Sequence, residues 1–158
     1  MIAQYIQYYP SPIGILKIEA TDSGIVAVNF VSSQDEAESV NSITQDCQQQ
    51  LQEYFSGERK VFNLPLRPKG TDFQQRVWAE LQNIPFGKVA SYLEMAKRLG
   101  DEKVIRAAAA ANGKNPVAII IPCHRVIGAN GDLVGYAGGL DKKKLLLQHE
   151  GVLSKPLF

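Results

Sequence analysis

Cysteine is nearly missing from this 158-residue chain: Cys47 and Cys123 are the whole supply. That excludes a disulfide-stapled scaffold and a dense thiolate metal site. Histidine is as scarce, at His124 and His149, and no pair among the four residues has the CxxC or HxxxH spacing that suits zinc. No segment approaches the roughly 18 consecutive apolar residues of a membrane span. The opening stretch, Met1 to Pro12, lacks the basic segment followed by an apolar one that a secretion signal needs. A Walker-type glycine pattern is also missing. Together these absences predict a cytoplasmic protein in a reducing compartment, with no metal, no cofactor and no membrane association, free to keep one thiol for chemistry.

What is present is a 45% apolar composition, enough for a core in one domain or in two small ones. The formal charge of +1 hides an asymmetry. Residues 1–63 hold 3 Lys/Arg against 8 Asp/Glu, a net of −5, and residues 64–158 hold 14 against 8, a net of +6. A basic C-terminal part joined to an acidic N-terminal one suggests that only the former meets a polyanion.

Three segments near Ile2 to Tyr8, Ile13 to Ala20 and Ile25 to Val31 are rich in β-branched and aromatic residues and are punctuated by Ser11-Pro12 and Ser23-Gly24, which predicts an antiparallel meander. From Gln34 onward Ala37, Val40, Cys47, Leu51, Tyr54 and Phe55 recur at helical spacing until Gly57. Cys47 falls on that apolar stripe and reads as a core thiol. Leu64 to Gly70 contains two prolines and a glycine and reads as a linker, giving domains at 1–63 and 72–158 around a joint at 64–71.

Beyond the joint, Thr71 can cap a helix carrying Phe73, Val77, Trp78 and Leu81. Ser91-Tyr92-Leu93-Glu94 has capping-box spacing for a second helix ending at Gly100. Asp101 can cap a third, which carries Arg106 and the alanines 107 to 111 and stops at Asn112-Gly113. The last two make a helix-turn-helix. Ala107 to Ala111 has no side chain for reading base edges. Small residues do let a backbone sit low in a narrow groove, with Arg106 as the one long projection. A final helix covers Asp141 to Gln148 and closes on His149-Glu150-Gly151, where a carboxylate at a helix C-terminus calls for a partner.

The chemistry-bearing stretch runs from Asn115 to Val126, where an apolar run enters a Pro turn and delivers Cys123 beside His124 and Arg125. A thiol is a useful nucleophile only as thiolate, so something must lower its pKa. Adjacent side chains diverge, which makes a bridging water the natural proton route from Cys123 to His124. On these residues alone a nucleophilic Cys123 and a structural one both stay open, and with them a cysteine hydrolase and a DNA-binding regulator with a redox-sensing cysteine.

The stretch Ile121-Pro122-Cys123-His124-Arg125-Val126, with Gly135-Tyr136-Ala137-Gly138-Gly139 and Leu147-Gln148-His149-Glu150-Gly151, resembles the methylated-DNA–protein-cysteine methyltransferases. The resemblance extends from about Phe73 to Gly151. It implies an α+β molecule with an N-terminal ribonuclease H-like domain and a C-terminal winged-helix-like domain. It further implies a monomer that takes an alkyl group from O6-alkylguanine, or O4-alkylthymine, in double-stranded DNA and keeps it permanently. In the roles it implies, Cys123 accepts the alkyl group, His124 is its base through water, Glu150 orients His124 and Asn115 braces the turn. Tyr92 sits at the flipped base, helping it rotate and protonating the departing guanine. Arg106 fills the gap in the stack from the minor groove, with Ala107, Ala110, Ala111, Asn112, Gly113, Lys114 and Arg125 at the DNA. Val126, Tyr136, Ala137 and Gly138 line the guanine pocket. The N-terminal zinc set of some relatives cannot be built from the Cys and His residues of this chain.

Overall fold

The computed structural model describes residues 3–154. The chain divides into two compact units, one of residues up to Lys69 together with Pro116–Ala118, the other of Gly70–Asn115 and the residues from Ile119 onward. The long strands belong to the first unit and helices dominate the second, an α+β arrangement.

In the first unit β1 (Tyr5–Ser11), β2 (Gly14–Ala20) and β3 (Ile25–Val31) form an antiparallel sheet in sequence order. Leu16, Ile18 and Ala20 of β2 are fully buried, the every-second-residue pattern of a strand with one face on a core. The expected first strand began at Ile2, which lies outside the described residues.

The helix expected from Gln34 begins later. α1 spans Ser42–Ser56, with Asn41 as its N-cap in a reciprocal box with Thr44. The preceding residues are drawn off to β1 instead: Ile6 bridges Ser39, and the Tyr8 amide donates to Glu38 Oε2. Ala37 and Val40, counted toward a helical stripe, are exposed. Gly57 ends α1 in the left-handed region at φ 87°, where a side chain is unfavourable.

The stretch expected as a linker is hydrogen-bonded to β3. The Ile25 amide donates to the Pro65 carbonyl (2.8 Å) and the Arg67 amide to the Ile25 carbonyl (2.7 Å). A Cβ at Gly24 would lie 2.7 Å from the Pro65 carbonyl oxygen, so glycine there is what admits the approach. Residues 116–118 join this unit too, through Val28 N to Pro116 O (2.9 Å) and Ala118 N to Val28 O (2.9 Å).

In the second unit α2 (Asp72–Leu81) starts at a capping box of Thr71 and Gln74 and buries Val77, Trp78 and Leu81. α3 (Tyr92–Arg98) starts at the box of Ser91 and Glu94. Asp101 caps a 3-10 turn over Glu102–Val104 rather than the helix itself. α4 follows as Ile105–Gly113, carrying the helix through the Asn112-Gly113 pair that sequence reading took as its stop. The Trp78 indole donates to the Ala111 carbonyl (2.9 Å) and ties α2 to α4. α5 spans Leu140–His149. Two very short strands, β4 (Ala90–Ser91) and β5 (Val126–Ile127), pair in parallel.

Candidate active site

The backbone entering the site is constrained at three points. The buried Asn115 amide donates to the Ile121 carbonyl (2.7 Å). Ile119 sits at φ 71°, a left-handed conformation that a β-branched residue adopts only where its surroundings impose it. The Cys123 amide then turns back on the Ile121 carbonyl (2.8 Å), and Cys123–Arg125 form a 3-10 turn. The next two residues are β5, aligned Val126 to Ala90 and Ser91 to Ile127. Because Ser91 also caps α3, this pairing brings the start of that helix, and Tyr92, alongside the strand that leaves the cysteine turn.

Behind the thiol lies a buried charge cluster. His124 Nε2 is 2.8 Å from Glu150 Oε2. Arg125 grips the same carboxylate with both arms, Nε to Oε1 at 2.7 Å and Nη2 to Oε2 at 3.0 Å, while its Nη1 donates to the Ile84 carbonyl (2.6 Å). Burial would raise the Glu150 pKa, but hydrogen bonds and charge from His124 and Arg125 bring it down to about 2. Burial lowers the His124 pKa and outweighs the pull of Glu150 toward the charged form. A neutral His124 that donates Nε2–H to Glu150 presents Nδ1 as an acceptor. That Nδ1 is buried and has no hydrogen-bond partner among the described residues.

Burial pushes the Cys123 thiol up, opposed by the Asn115 side chain and the positive charge of Lys143. Lys143 is fully buried, and its Nζ donates to the carbonyls of Val126 (2.7 Å), Val134 (3.0 Å) and Gly135 (3.2 Å). The Val134 carbonyl also accepts from the Tyr92 hydroxyl (3.1 Å). The loop bearing Tyr136, Ala137 and Gly138 is thus tied to both α3 and α5. Burial, then the proximity of Cys123, raises the Tyr92 pKa. The same two causes and Glu150 carry that of Tyr136 well above its ordinary value. The Tyr136 hydroxyl and Asn112 Oδ1 are buried without hydrogen-bond partners among the described residues.

The structure gathers Cys123, His124, Glu150, Asn115, Tyr92, Val126 and Tyr136 in the second unit, with Ala137 and Gly138 on the adjoining loop. Arg106, Ala107, Ala110, Gly113 and Lys114 are exposed along α4. Three residues expected at the DNA are buried. Arg125 is 6% exposed and its guanidinium is committed to Glu150 and Ile84. Ala111 and Asn112 face inward, where the Asn112 amide reaches the Cys123 carbonyl (3.5 Å). Sequence reading gave Lys143 no role. The signal was there: Lys143, Leu146, Leu147 and Glu150 recur at i, i+3, i+4 and i+7, one helical face, and all four are buried. Among the described residues no three His, Cys, Asp or Glu side chains are grouped as metal ligands, and no helix is long and apolar enough to cross a membrane.

Comparison with known proteins covers both units. Residues 72–152 match the model of the 6-O-methylguanine DNA methyltransferase DNA-binding domain, and residues 4–68 that of the family's ribonuclease-like domain. A methylated-DNA–protein-cysteine methyltransferase of Methanosarcina acetivorans is 44% identical over 93% of this chain and 98% of its own length. One from Haemophilus influenzae is 39% identical over 96% and 89%. Among solved structures, the Mycobacterium tuberculosis O6-methylguanine methyltransferase superposes with a TM-score of 0.84 at 39% identity, covering 98% of this chain and 96% of the other. An OGT of the same organism in complex with DNA gives 0.84 at 41%, covering 92% and 91%. With each half matched to its own domain model and whole-length relatives at such identity, the chain belongs to the 6-O-methylguanine DNA methyltransferase family.

Proposed function

We propose that this protein repairs double-stranded DNA by moving the alkyl group of O6-alkylguanine onto Cys123 in a single irreversible turnover. The observation that supports this reading is a buried cysteine next in sequence to a buried histidine whose Nδ1 has no hydrogen-bond partner among the described residues and whose Nε2 is held by a buried carboxylate. A base stacked in a duplex cannot reach such a thiol, so the nucleotide is extruded at a cost of a few kcal/mol, less for a modified pair. α4 enters the minor groove with Ala107, Ala110 and Gly113 against the backbone and Lys114 at a phosphate, and Arg106 fills the space the base leaves. The base enters between Val126 and the loop of Tyr136, Ala137 and Gly138, where the Tyr136 hydroxyl has no hydrogen-bond partner among the described residues.

His124 Nδ1 takes the thiol proton through a water. The thiolate attacks the alkyl carbon in line, forming the S–C bond as the C–O6 bond breaks, and the electron pair leaves with the guanine. Tyr92 protonates the departing base and recovers a proton from the His124 side, so the net transfer is from thiol to guanine. Glu150 steadies the imidazolium while it exists, and Asn115 braces the turn. The thioether is inert to a His/Glu pair, unlike an acyl thioester, which limits each molecule to one event. The reaction as written uses no metal or cofactor. The protein acts as a monomer and in the cytoplasm.

Intact-mass measurement after incubation with excess O6-methylguanine duplex tests this. Expected is one added methyl group per chain, located on Cys123. More than one guanine repaired per chain, or folded protein left unmodified, overturns it. Cys123→Ala protein should still bind the lesion duplex and take up nothing.

A further inference from the structure

The buried charges around Cys123 do not balance. Glu150 is matched by Arg125 through two hydrogen bonds, and His124 is held neutral by burial. That leaves the Lys143 ammonium, whose three partners are backbone carbonyls and which has no carboxylate partner among the described residues. A buried cation held only by dipoles is costly unless an anion is near. The other ionisable groups facing this centre are Cys123, His124, Arg125 and Glu150 on the turn and at the end of α5, Tyr136 on the loop, and Tyr92 at the start of α3. Once Glu150 is spent on Arg125, the groups left to supply that anion are Cys123, Tyr92 and Tyr136; a thiol has the lowest ordinary pKa of the three, and Lys143 is bonded to the Val126 carbonyl directly after the Cys123–Arg125 turn.

We propose that Lys143 is the resident counter-charge of the Cys123 thiolate, fastened by its three carbonyl bonds to the same backbone that forms the guanine pocket wall. It acts through Cys123 and the loop rather than by touching substrate, and is a positioning residue in that sense. Arg125, the cation two residues along the chain, is excluded from the role by its commitment to Glu150. The Lys143 pKa, lowered by burial to about 8, is pulled upward by Cys123, the reciprocal of the effect Lys143 has on the thiol.

This inference rests on the alkyl-transfer reading, so wild-type protein is first shown to gain its methyl group by intact mass; failure there defeats the reading itself. The Cys123 thiolate is then titrated by its ultraviolet absorbance, with Cys123→Ala protein subtracted to remove Cys47, and the pH profile of single-turnover methyl transfer is measured alongside. An opposite charge at close range moves a pKa by about 1–3 units. Folded Lys143→Gln or Lys143→Met protein should therefore show both midpoints raised by about 1–3 pH units, with transfer recovering at higher pH. Lys143→Arg should keep the wild-type midpoint. A purely structural role would slow transfer equally at every pH. A folded Lys143→Gln protein with unshifted midpoints, or a folded Lys143→Arg protein with raised ones, overturns the proposal. Where the neutral variants do not fold, side-chain nitrogen NMR of wild-type protein decides: methylating Cys123 should lower the Lys143 titration midpoint, and an unchanged midpoint overturns the proposal.

Discussion

Glu150 divides one carboxylate between the imidazole of His124 and the guanidinium of Arg125. Glu150→Gln keeps the shape and leaves Arg125 as an unpaired buried cation. Breaking a buried pair from one side costs about 3–5 kcal/mol. Urea denaturation at neutral pH should report a loss of that size; a loss under about 1 kcal/mol, the scale of an exposed pair, would contradict the burial argument. The same groups set an acid limb. His124 titrates below its ordinary 6.5 in the folded protein and Glu150 at about 2 against an ordinary 4.5. The unfolded chain therefore binds more protons than the folded one between each pair of values. Stability should fall as pH drops below about 6.5 through His124, and again from about 4.5 toward 2 through Glu150. Denaturation midpoints flat from pH 7 to 4 would contradict this. That a carboxylate at the end of the last helix needs a partner was legible in the chain, and the structure supplies His124 and Arg125. Arg125 was misread because adjacency in sequence cannot say whether a guanidinium faces solvent or turns inward to a carboxylate 25 residues away.

Ser91 serves two elements, as the N-cap of α3 and as a rung of the β4–β5 pair. Ser91→Ala should cost about 0.5–2 kcal/mol for the lost cap, seen as a lower melting temperature. It should also slow methyl transfer at temperatures where the protein stays folded, because Tyr92 is the first residue after the cap; full activity there would mean that Tyr92 is positioned by other contacts. Caps of this kind were readable, at Thr71, Ser91 and Asp101, because they depend on residues three apart or fewer. The β4–β5 pair was not, since two-residue strands joined across the unit have no periodicity to detect. The start of α1 was misjudged for a related reason: Ala37 and Val40 fit a helical stripe by chance, while the contacts from 36–39 to β1 that decide their conformation are long-range. Helix-turn-helix spacing predicted α3 and α4 together, but which alanines of α4 face outward depended on Trp78 reaching Ala111, a contact invisible in α4 itself.

At the scale of the molecule, the charge asymmetry along the chain has a counterpart in the exposed cations Lys97, Arg98, Lys103, Arg106 and Lys114 on or beside α3 and α4. Arg106→Ala should slow transfer from duplex DNA far more than from the free modified base; equal slowing would show that the side chain does not substitute for the extruded nucleotide. The antiparallel meander and the helical second half were readable from patterning, but no boundary drawn along the sequence could have assigned 116–118 to the first unit, since only the pairing with Val28 does so. That three-residue excursion limits how the protein can be cut. A fragment made by severing the chain after Lys69 takes Pro116–Ala118 away from the strand that receives them, directly before Ile119 and five residues upstream of Cys123. Anyone grafting the second unit onto another carrier should expect a slack turn at Cys123 unless a substitute edge for that segment is supplied.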